Sequence, residues 1–553
     1  MININETTVA VETSAELKTV LEGDNKITKK YLAKDITLAS GISILASKTE
    51  VTIDGLYPTD GTGVIHTYTD MNSAASGDAI GIRSASSVKV TLQNMNVIGR
   101  NYYGIIYVTE GTAYQNVVIT YKNITYRGPQ ITYHPSGLSI YQDVDITSVD
   151  STACVANEVA ETYQLQIGGK TTINHNSTGN SVFWFRGPTS SPYLEILEGA
   201  NLSITTTRDV IYTTYYVKLT IHNNANFTVN TRYGFFRDNG HQASSILLDT
   251  YSKFSVIQTQ TNGSNVMLTC RGDFTVNENA TLYLQANYSN SAPLIRFYST
   301  AAKWNVIKPK SVILYNQTNA IFRFENTTTF TIETGRVDYW ITSPTLSSTG
   351  EIDSKPLYAW NKSNQEEFSL TATVTSSATT ITANNLTDAE KQDLPSLDLL
   401  QFQTAKTLRL VQNGNLELKS APSKIEFQRP VLQTNPVILG RKEDSIEVTV
   451  IDGRVTSKEW YLYAYVDSEM KTSDGKYSLP NSLVFIDSDG NIHTLSKDPS
   501  LEYTGEENDG LTKTTNITWS QKQGVLFKVI EPLYNGETYS AEINWRLSAE
   551  KLT

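Results

Sequence analysis

Asp143 and Asp145 flank Val144 in the run Leu138-Ser-Ile-Tyr-Gln-Asp-Val-Asp-Ile-Thr147, and alternate residues of a strand project from one face. Two carboxylates so placed could act as acid and base on a glycosidic bond, or share a Ca²⁺ ion in polysaccharide cleavage. Asp54, in Thr52-Ile-Asp-Gly55, is a third candidate. The sequence around them lacks the companions that such chemistry needs. Arg127-Gly-Pro129 supplies one arginine without a second, and no further acid–base string accompanies the aspartates. We assign no catalytic residue and read the Asp143/Asp145 pair as a solvated acidic edge.

The other reactive groups point to structure. Cys154 and Cys270 are far apart, so no disulfide framework is implied, and both read as small buried thiols. The six histidines are scattered without a second ligand at close spacing, so neither a metal site nor a cofactor is assigned. Arg271-Gly-Asp273 has the form of an adhesion tripeptide, yet it runs straight into the strand Phe274-Thr-Val276. Asp487-Ser-Asp-Gly-Asn491 begins like a Ca²⁺ loop, but its glycine falls too early and the distal glutamate is missing. It reads as a hairpin turn. Asn-x-Ser/Thr triplets at Asn123, Asn201, Asn226 and Asn326 carry little weight in so Asn- and Thr-rich a chain.

Aromatic clusters offer a different chemistry. Asn101-Tyr-Tyr-Gly104, Phe183-Trp-Phe185, Tyr212-Thr-Thr-Tyr-Tyr216 and Tyr233-Gly-Phe-Phe236 interrupt the regular strands. Strand alternation turns some of these rings outward, where planar amphipathic groups suit sugar stacking or protein contacts. Tyr102, Tyr103, Trp184, Tyr215 and Tyr216 are the binding candidates.

The elements that must carry these rings are almost all strands. Charged residues make up 18% of the chain and tyrosine alone contributes 31 residues, a polar, strand-forming composition. The net charge of −11 argues against nucleic acid as a partner, because phosphate contacts need a basic face. No apolar run is long enough to span a membrane. The start, Met1-Ile-Asn-Ile-Asn, lacks a secretory signal, so either a signal was removed or export is unconventional.

One early helix is expected from Ser14, taken as its cap, to Gly23, with Leu17, Val20 and Leu21 as its apolar stripe. Helix and flanking residues form an N-terminal segment, 1–29, that covers the first strand edge. Over 30–345, a short apolar strand and a polar turn recur. Leu202, Phe227, Phe254 and Phe274 open similar four-residue runs separated by 25, 27 and 20 residues. A loose period without helices predicts an all-β fold, a right-handed parallel β-helix of about a dozen turns. The Ser/Thr/Pro/Gly-rich stretch 343–350 reads as a boundary, 346–424 as a connector with short strands and a helix, and 425–553 as a β-sandwich-like module.

Residues 14–345 resemble the pectate-lyase-like adhesive domains of surface proteins from low-GC Gram-positive bacteria, through the opening Ala15-Glu-Leu-Lys-Thr-Val20 helix, Asp35-Ile-Thr-Leu38 and Val51-Thr-Ile-Asp-Gly55. The last module resembles the WxL cell-wall-binding domain, through Trp460-Tyr-Leu462 on a strong strand and Trp545-Arg-Leu547 near the end. This resemblance implies non-covalent attachment to peptidoglycan or another wall glycan, with Trp460, Leu462, Trp545 and Leu547 as the wall-binding candidates. The expected protein is a non-catalytic extracellular adhesin or surface-structural protein. Its β-helix would meet a glycan or protein of a host or neighbouring cell. The alternatives are a virion or appendage fibre component and, after that, a Ca²⁺-dependent polysaccharide lyase. The oligomeric state is left open.

Overall fold

A turn of this chain places three short strands around an apolar interior, and the hydrogen bonds to the next turn hold like positions in register. On the first face the inward column reads Val51, Val90, Ile119, Ser139, Leu165, Leu194, Leu219, Ile246, Phe274, Trp304 and Phe330, each the Cα partner of the one before. The second face stacks Ile146, Ile173, Ile204, Val229, Val256, Leu284 and Leu314 in the same way. No turn can bury its inward face alone, so the stack is the unit of stability. The computed structural model describes the whole chain except 59–62, 72–78, 85–86, 188, 190–191, 238–240, 260–265, 288–291, 300–301, 347–351, 353, 363–366, 385, 394–395, 397–399, 413–415, 429–435, 455–458, 507–512, 531–532, 534–536 and 553. The chain is all-β, a parallel β-helix of about 10 turns followed by small antiparallel sheets.

The third face is built from three-residue strands, among them Ile80–Ile82, Ile106–Val108, Phe183–Phe185, Ile211–Thr213, Ile295–Phe297 and Phe322–Phe324. In each but Ile80–Ile82, whose centre is Gly81, the outer two residues point inward and the central side chain faces out. Such strands are too short to show a convincing period, yet their central residues form the surface discussed below.

The corner between the first two faces is made by one residue per turn in the left-handed conformation. Asn94, Asn123, Asp143, Gly169, Gly199, Asn224, Tyr251 and Asn279 have φ between +51° and +68°. Asparagine, aspartate and glycine tolerate this region best, which explains the Asn-rich turns. Asn123 also donates from Nδ2 to Oδ1 of Asn94 at 3.0 Å, tying two corners together. Asp143 and Asp145 are both exposed; Asp143 occupies a corner and its Oδ1 accepts the backbone N–H of Lys170 at 2.9 Å.

Two expectations change. The run at Phe274 does not follow Phe254: Phe254 pairs with Leu282 on the second face, whereas Phe274 pairs with Ile246 and Trp304 on the first. Different faces share the same F-x-V alternation, so the apparent spacing of 20 mixed two columns. The helix Ser14–Glu22 is capped by Thr13, whose Oγ1 accepts the Glu16 N–H at 3.2 Å. Leu17, Val20 and Leu21 are buried as expected, and the helix packs against the strands Thr8–Val11 and Ile42–Ser43.

Residues 346–424 do not stand apart as a connector. Phe368–Val374 pairs antiparallel with Thr328–Thr334, and Thr407–Val411 pairs antiparallel with both Ser311–Asn316 and Arg336–Trp340. These reversed strands close the end of the parallel stack, where an open edge would invite association. Buried Asp338 sits between Arg336 Nε at 2.6 Å and Arg409 Nε at 2.7 Å, fixing their register. One compact unit is therefore Met1–Lys362 with Glu367–Gln412; the other is Ser363–Glu366 with Asn413–Thr553.

Among its described residues the second unit has four small antiparallel sheets around a core that includes Val448, Trp460, Leu462, Phe485, Trp519 and Phe527. The turn at Asp487 joins Leu483–Ile486 to Ile492–Thr494, and its carboxylate accepts the N–H groups of Asp489 and Asn491. Among the described residues no helix is long and apolar enough to cross a membrane.

The corner geometry sets a stability test. Tyr251 is exposed at φ +60°, so Tyr251→Gly is expected to leave stability unchanged or raise it by up to about 1 kcal/mol. Asn123→Val places a branched residue in the same conformation and removes the bond to Asn94, lowering stability by roughly 2 kcal/mol. Equal thermal shifts for the two variants would contradict the corner assignment.

Candidate functional site

Outward positions of the third face line up as strictly as the inward ones. Gly81 neighbours Tyr107, Tyr107 neighbours Tyr133, Tyr133 neighbours Glu161, Glu161 neighbours Trp184, and Trp184 neighbours Tyr212. At about 4.8 Å per step, Tyr107 to Tyr212 spans on the order of 19 Å of exterior surface. The rings are in mutual contact: Tyr107 and Tyr133 stack with centroids 5.1 Å apart, and Trp184 lies 5.2 Å from Tyr212. Phe183 and Phe185, on either side of Trp184, are buried in the core, as alternation requires.

Glu161 interrupts this aromatic column at its centre and is 2% exposed. Arg186 reaches it from the next turn, with Nη1 donating to Oε1 at 2.7 Å, while Nη2 donates to Glu110 at 2.6 Å. The same guanidinium lies 4.8 Å from the centre of Trp184. One arginine thus fixes the acid and braces the indole. Glu158, two residues before Ala160, is also buried, and burial pushes both glutamates up to about 7. Arg186 pulls Glu161 the other way and Arg237 does so for Glu158, without overcoming the burial. Asp209 is also held up at about 7 by burial, against the pull of Arg208 and a hydrogen bond from Gly234 N–H.

The candidate rings distribute as follows. Tyr102 and Tyr103 contact each other edge-on at 4.9 Å, and Tyr103 reaches the column through Tyr133 at 4.7 Å. Burial and the charge of Glu158 raise the Tyr102 hydroxyl above its ordinary range. Tyr102, Tyr103 and Trp184 therefore belong to one patch. Tyr215 and Tyr216, each 39% exposed, follow the strand Ile211–Thr213 beyond Tyr212, and Tyr216 holds Arg271 against its ring at 4.5 Å. Tyr107, Tyr133, Tyr212, Glu158, Glu161 and Arg186 were missed by sequence reasoning. The signal that could have found Tyr107, Tyr133 and Tyr212 is the repeated triplet of two inward residues flanking one aromatic; Glu158, Glu161 and Arg186 carry no such signal.

The wall-binding candidates fall elsewhere. Trp460 and Leu462 are 1% and 0% exposed, so neither offers a surface to a glycan. Trp460 packs on Tyr503, and a Cβ added at Gly505 would fall 1.9 Å from its indole. The two W-x-L strands are neighbours: Leu462 pairs with Leu547 and Ala464 with Trp545. Trp545 and Leu547 are half-buried, and Trp545 stacks on Trp519. In the adhesion-type tripeptide Gly272 is closely packed, since a Cβ there would lie 1.8 Å from the Ser244 carbonyl, and Asp273 accepts the Lys303 N–H, while Arg271 is exposed.

Residues 8–133 match the pectate lyase-like adhesive domain family. The matched stretch takes in the N-terminal helix, Tyr102, Tyr103 and Tyr107, and it ends at Tyr133; Glu161, Trp184 and Tyr212 lie beyond it. No curated protein matches the chain. Among solved structures, the enzymatically active domain of bacteriophage CBA120 tailspike protein 4 aligns with 9% identity over 96% of this chain and 68% of that one. The TM-score of 0.27 is too low to bear on fold or function.

The buried acids give a pH prediction. Each keeps its proton when folded at a pH where the unfolded chain has lost it, so its contribution is complete below the ordinary carboxyl range and is lost as pH rises through about 7. Glu158→Gln removes one such group. Its loss of melting temperature between pH 5 and pH 8 is expected to be smaller than that of the wild type, and an identical or steeper loss would contradict the burial argument.

Proposed function

We propose that the β-helical unit is an adhesive, surface-binding module that takes a glycan chain along its third face, outside the cell that makes it. The observation that carries this reading is the register of Tyr107, Trp184 and Tyr212 in one outward column, with Tyr133, itself buried, stacked against Tyr107. Aromatic faces stack on the apolar faces of sugar rings while polar neighbours meet the hydroxyls. The adhesive description of the family matched by residues 8–133 supports the same reading.

Binding here is without turnover. Glu161 is bound by Arg186, Asp143 serves a corner, and Asp54 accepts from Gln93 at 2.6 Å and from Asn94 at 3.0 Å. Glu161, Asp143 and Asp54 therefore each have a structural task, and exposed Asp145 is left without the paired acid that such cleavage needs. The second unit is the proposed point of attachment to a cell-wall glycan. With Trp460 and Leu462 buried, such contact falls to its exposed surface, with Trp545 and Leu547 at most partly available.

The test is a glycan array probed with the full chain, followed by affinity measurement on the best ligand and a reducing-end assay. Trp184→Ala and Tyr212→Ala are each expected to weaken binding about tenfold, the worth of one stacked ring, with melting preserved. Tyr251→Ala, at the corner between the other two faces, should leave affinity unchanged. Binding indifferent to both ring substitutions, or release of reducing ends, would overturn the reading. Pelleting of the Trp184→Ala chain with Gram-positive sacculi would support wall attachment by the second unit, and its absence would contradict it.

A further inference from the structure

Beyond Tyr212 the same outward column changes character. A bridge pairs Ile211 with Phe236, which sets Arg237 beside Tyr212, and its guanidinium lies 4.9 Å from the centre of that ring. Further along, Thr269 pairs with Arg296 and Arg296 with Arg323. Arg271, two residues after Thr269, stacks on Tyr216 at 4.5 Å, and Arg296 stacks on Tyr298 at 4.2 Å. Tyrosine rings thus lie against guanidinium groups at several turns. Part of each edge is already used, because Arg271 Nη1 donates to the Tyr216 hydroxyl and Arg296 meets Glu325 through Nε and Nη2; the remaining N–H groups can meet a planar anion.

Arg271, Arg296 and Arg323 together carry more charge than the one carboxylate paired with them. Arg296 and Arg323 share the single carboxylate of Glu325, at 2.7 Å and 2.9 Å. Arg271 is exposed, and among the described residues no carboxylate lies within ion-pair distance of it. In a chain of net charge −11, a basic strip on one face is the exception. The acids of the aromatic half do not oppose it, because Glu158, Glu161 and Asp209 are buried and the more exposed Glu110 is paired with Arg186.

We infer that the ligand is an anionic glycopolymer, its rings carried by the aromatic half of the third face and its carboxylate or phosphate groups by the arginine half. This rests on the glycan-binding reading above and names the ligand class for the same surface. The remainder of the protein carries the net negative charge and gives such a polymer no comparable attraction.

The experiment measures binding of the full chain to three immobilised polymers of matched length: hyaluronan, which carries carboxylates; poly(glycerol phosphate), which carries phosphates; and neutral dextran. At least one anionic polymer should bind at least about tenfold more tightly than dextran, with affinity falling as salt rises. Which anionic polymer binds identifies the group recognised. The exposed pair Arg271→Gln and Arg323→Gln together should remove most of that preference at unchanged melting temperature, while Arg271→Lys should retain part of it. Salt-independent binding with dextran equal to the others would overturn the anionic assignment and leave the glycan reading intact. Anionic binding that survives the double substitution would overturn the role of the arginine strip. Failure to bind any of the three, or any glycan on the array, would overturn both.

Discussion

Main-chain hydrogen bonding between successive turns is the constraint on which the rest of the β-helix depends. Parallel strands fix register residue by residue, so a column of apolar residues inside entails a column of like positions outside. The inward stack from Val51 to Phe330 supplies the burial, and the outward stack from Tyr107 to Tyr212 is its geometric consequence. A surface patch assembled this way needs no long loop to organise it. Its rings are spaced by the sheet itself, at the separation of neighbouring strands.

The same constraint explains both ends of the unit. A parallel stack leaves an unpaired edge at each end, and the chain covers both with elements that break the pattern. At the start these are the helix Ser14–Glu22 and the antiparallel strand Ile2–Asn5; at the finish they are the reversed strands drawn from 358–411. The Arg336–Asp338–Arg409 cluster lies within that second cover. A buried carboxylate between two guanidiniums tolerates no slip of the strands that carry them, which suits a place where parallel pairing gives way to antiparallel.

Much of this was legible in the sequence. The apolar stripe at Leu17, Val20 and Leu21, the Asn-rich corners and the loose period state a capped β-solenoid. The register was less legible, because Phe254 and Phe274 open the same four-residue pattern on different faces and only the stack distinguishes them. The site was half visible. Trp184 stands out between two phenylalanines, but Glu158 and Glu161 lie in an unremarkable run, and their shifted acidity arises from burial that no local pattern encodes. The W-x-L tryptophan at 460 shows the opposite case, a conspicuous residue whose neighbours Tyr503 and Gly505 enclose it within the core.

The central claim, that the outward column of the third face is the binding surface, is tested most directly by hydroxyl-radical footprinting of the full chain with its best glycan ligand bound. Tyr107, Trp184, Tyr212 and Tyr216 are expected to lose reactivity together, while exposed Tyr251 keeps its own. Protection confined to the second unit, or to the other two faces with Trp184 unchanged, would contradict the account.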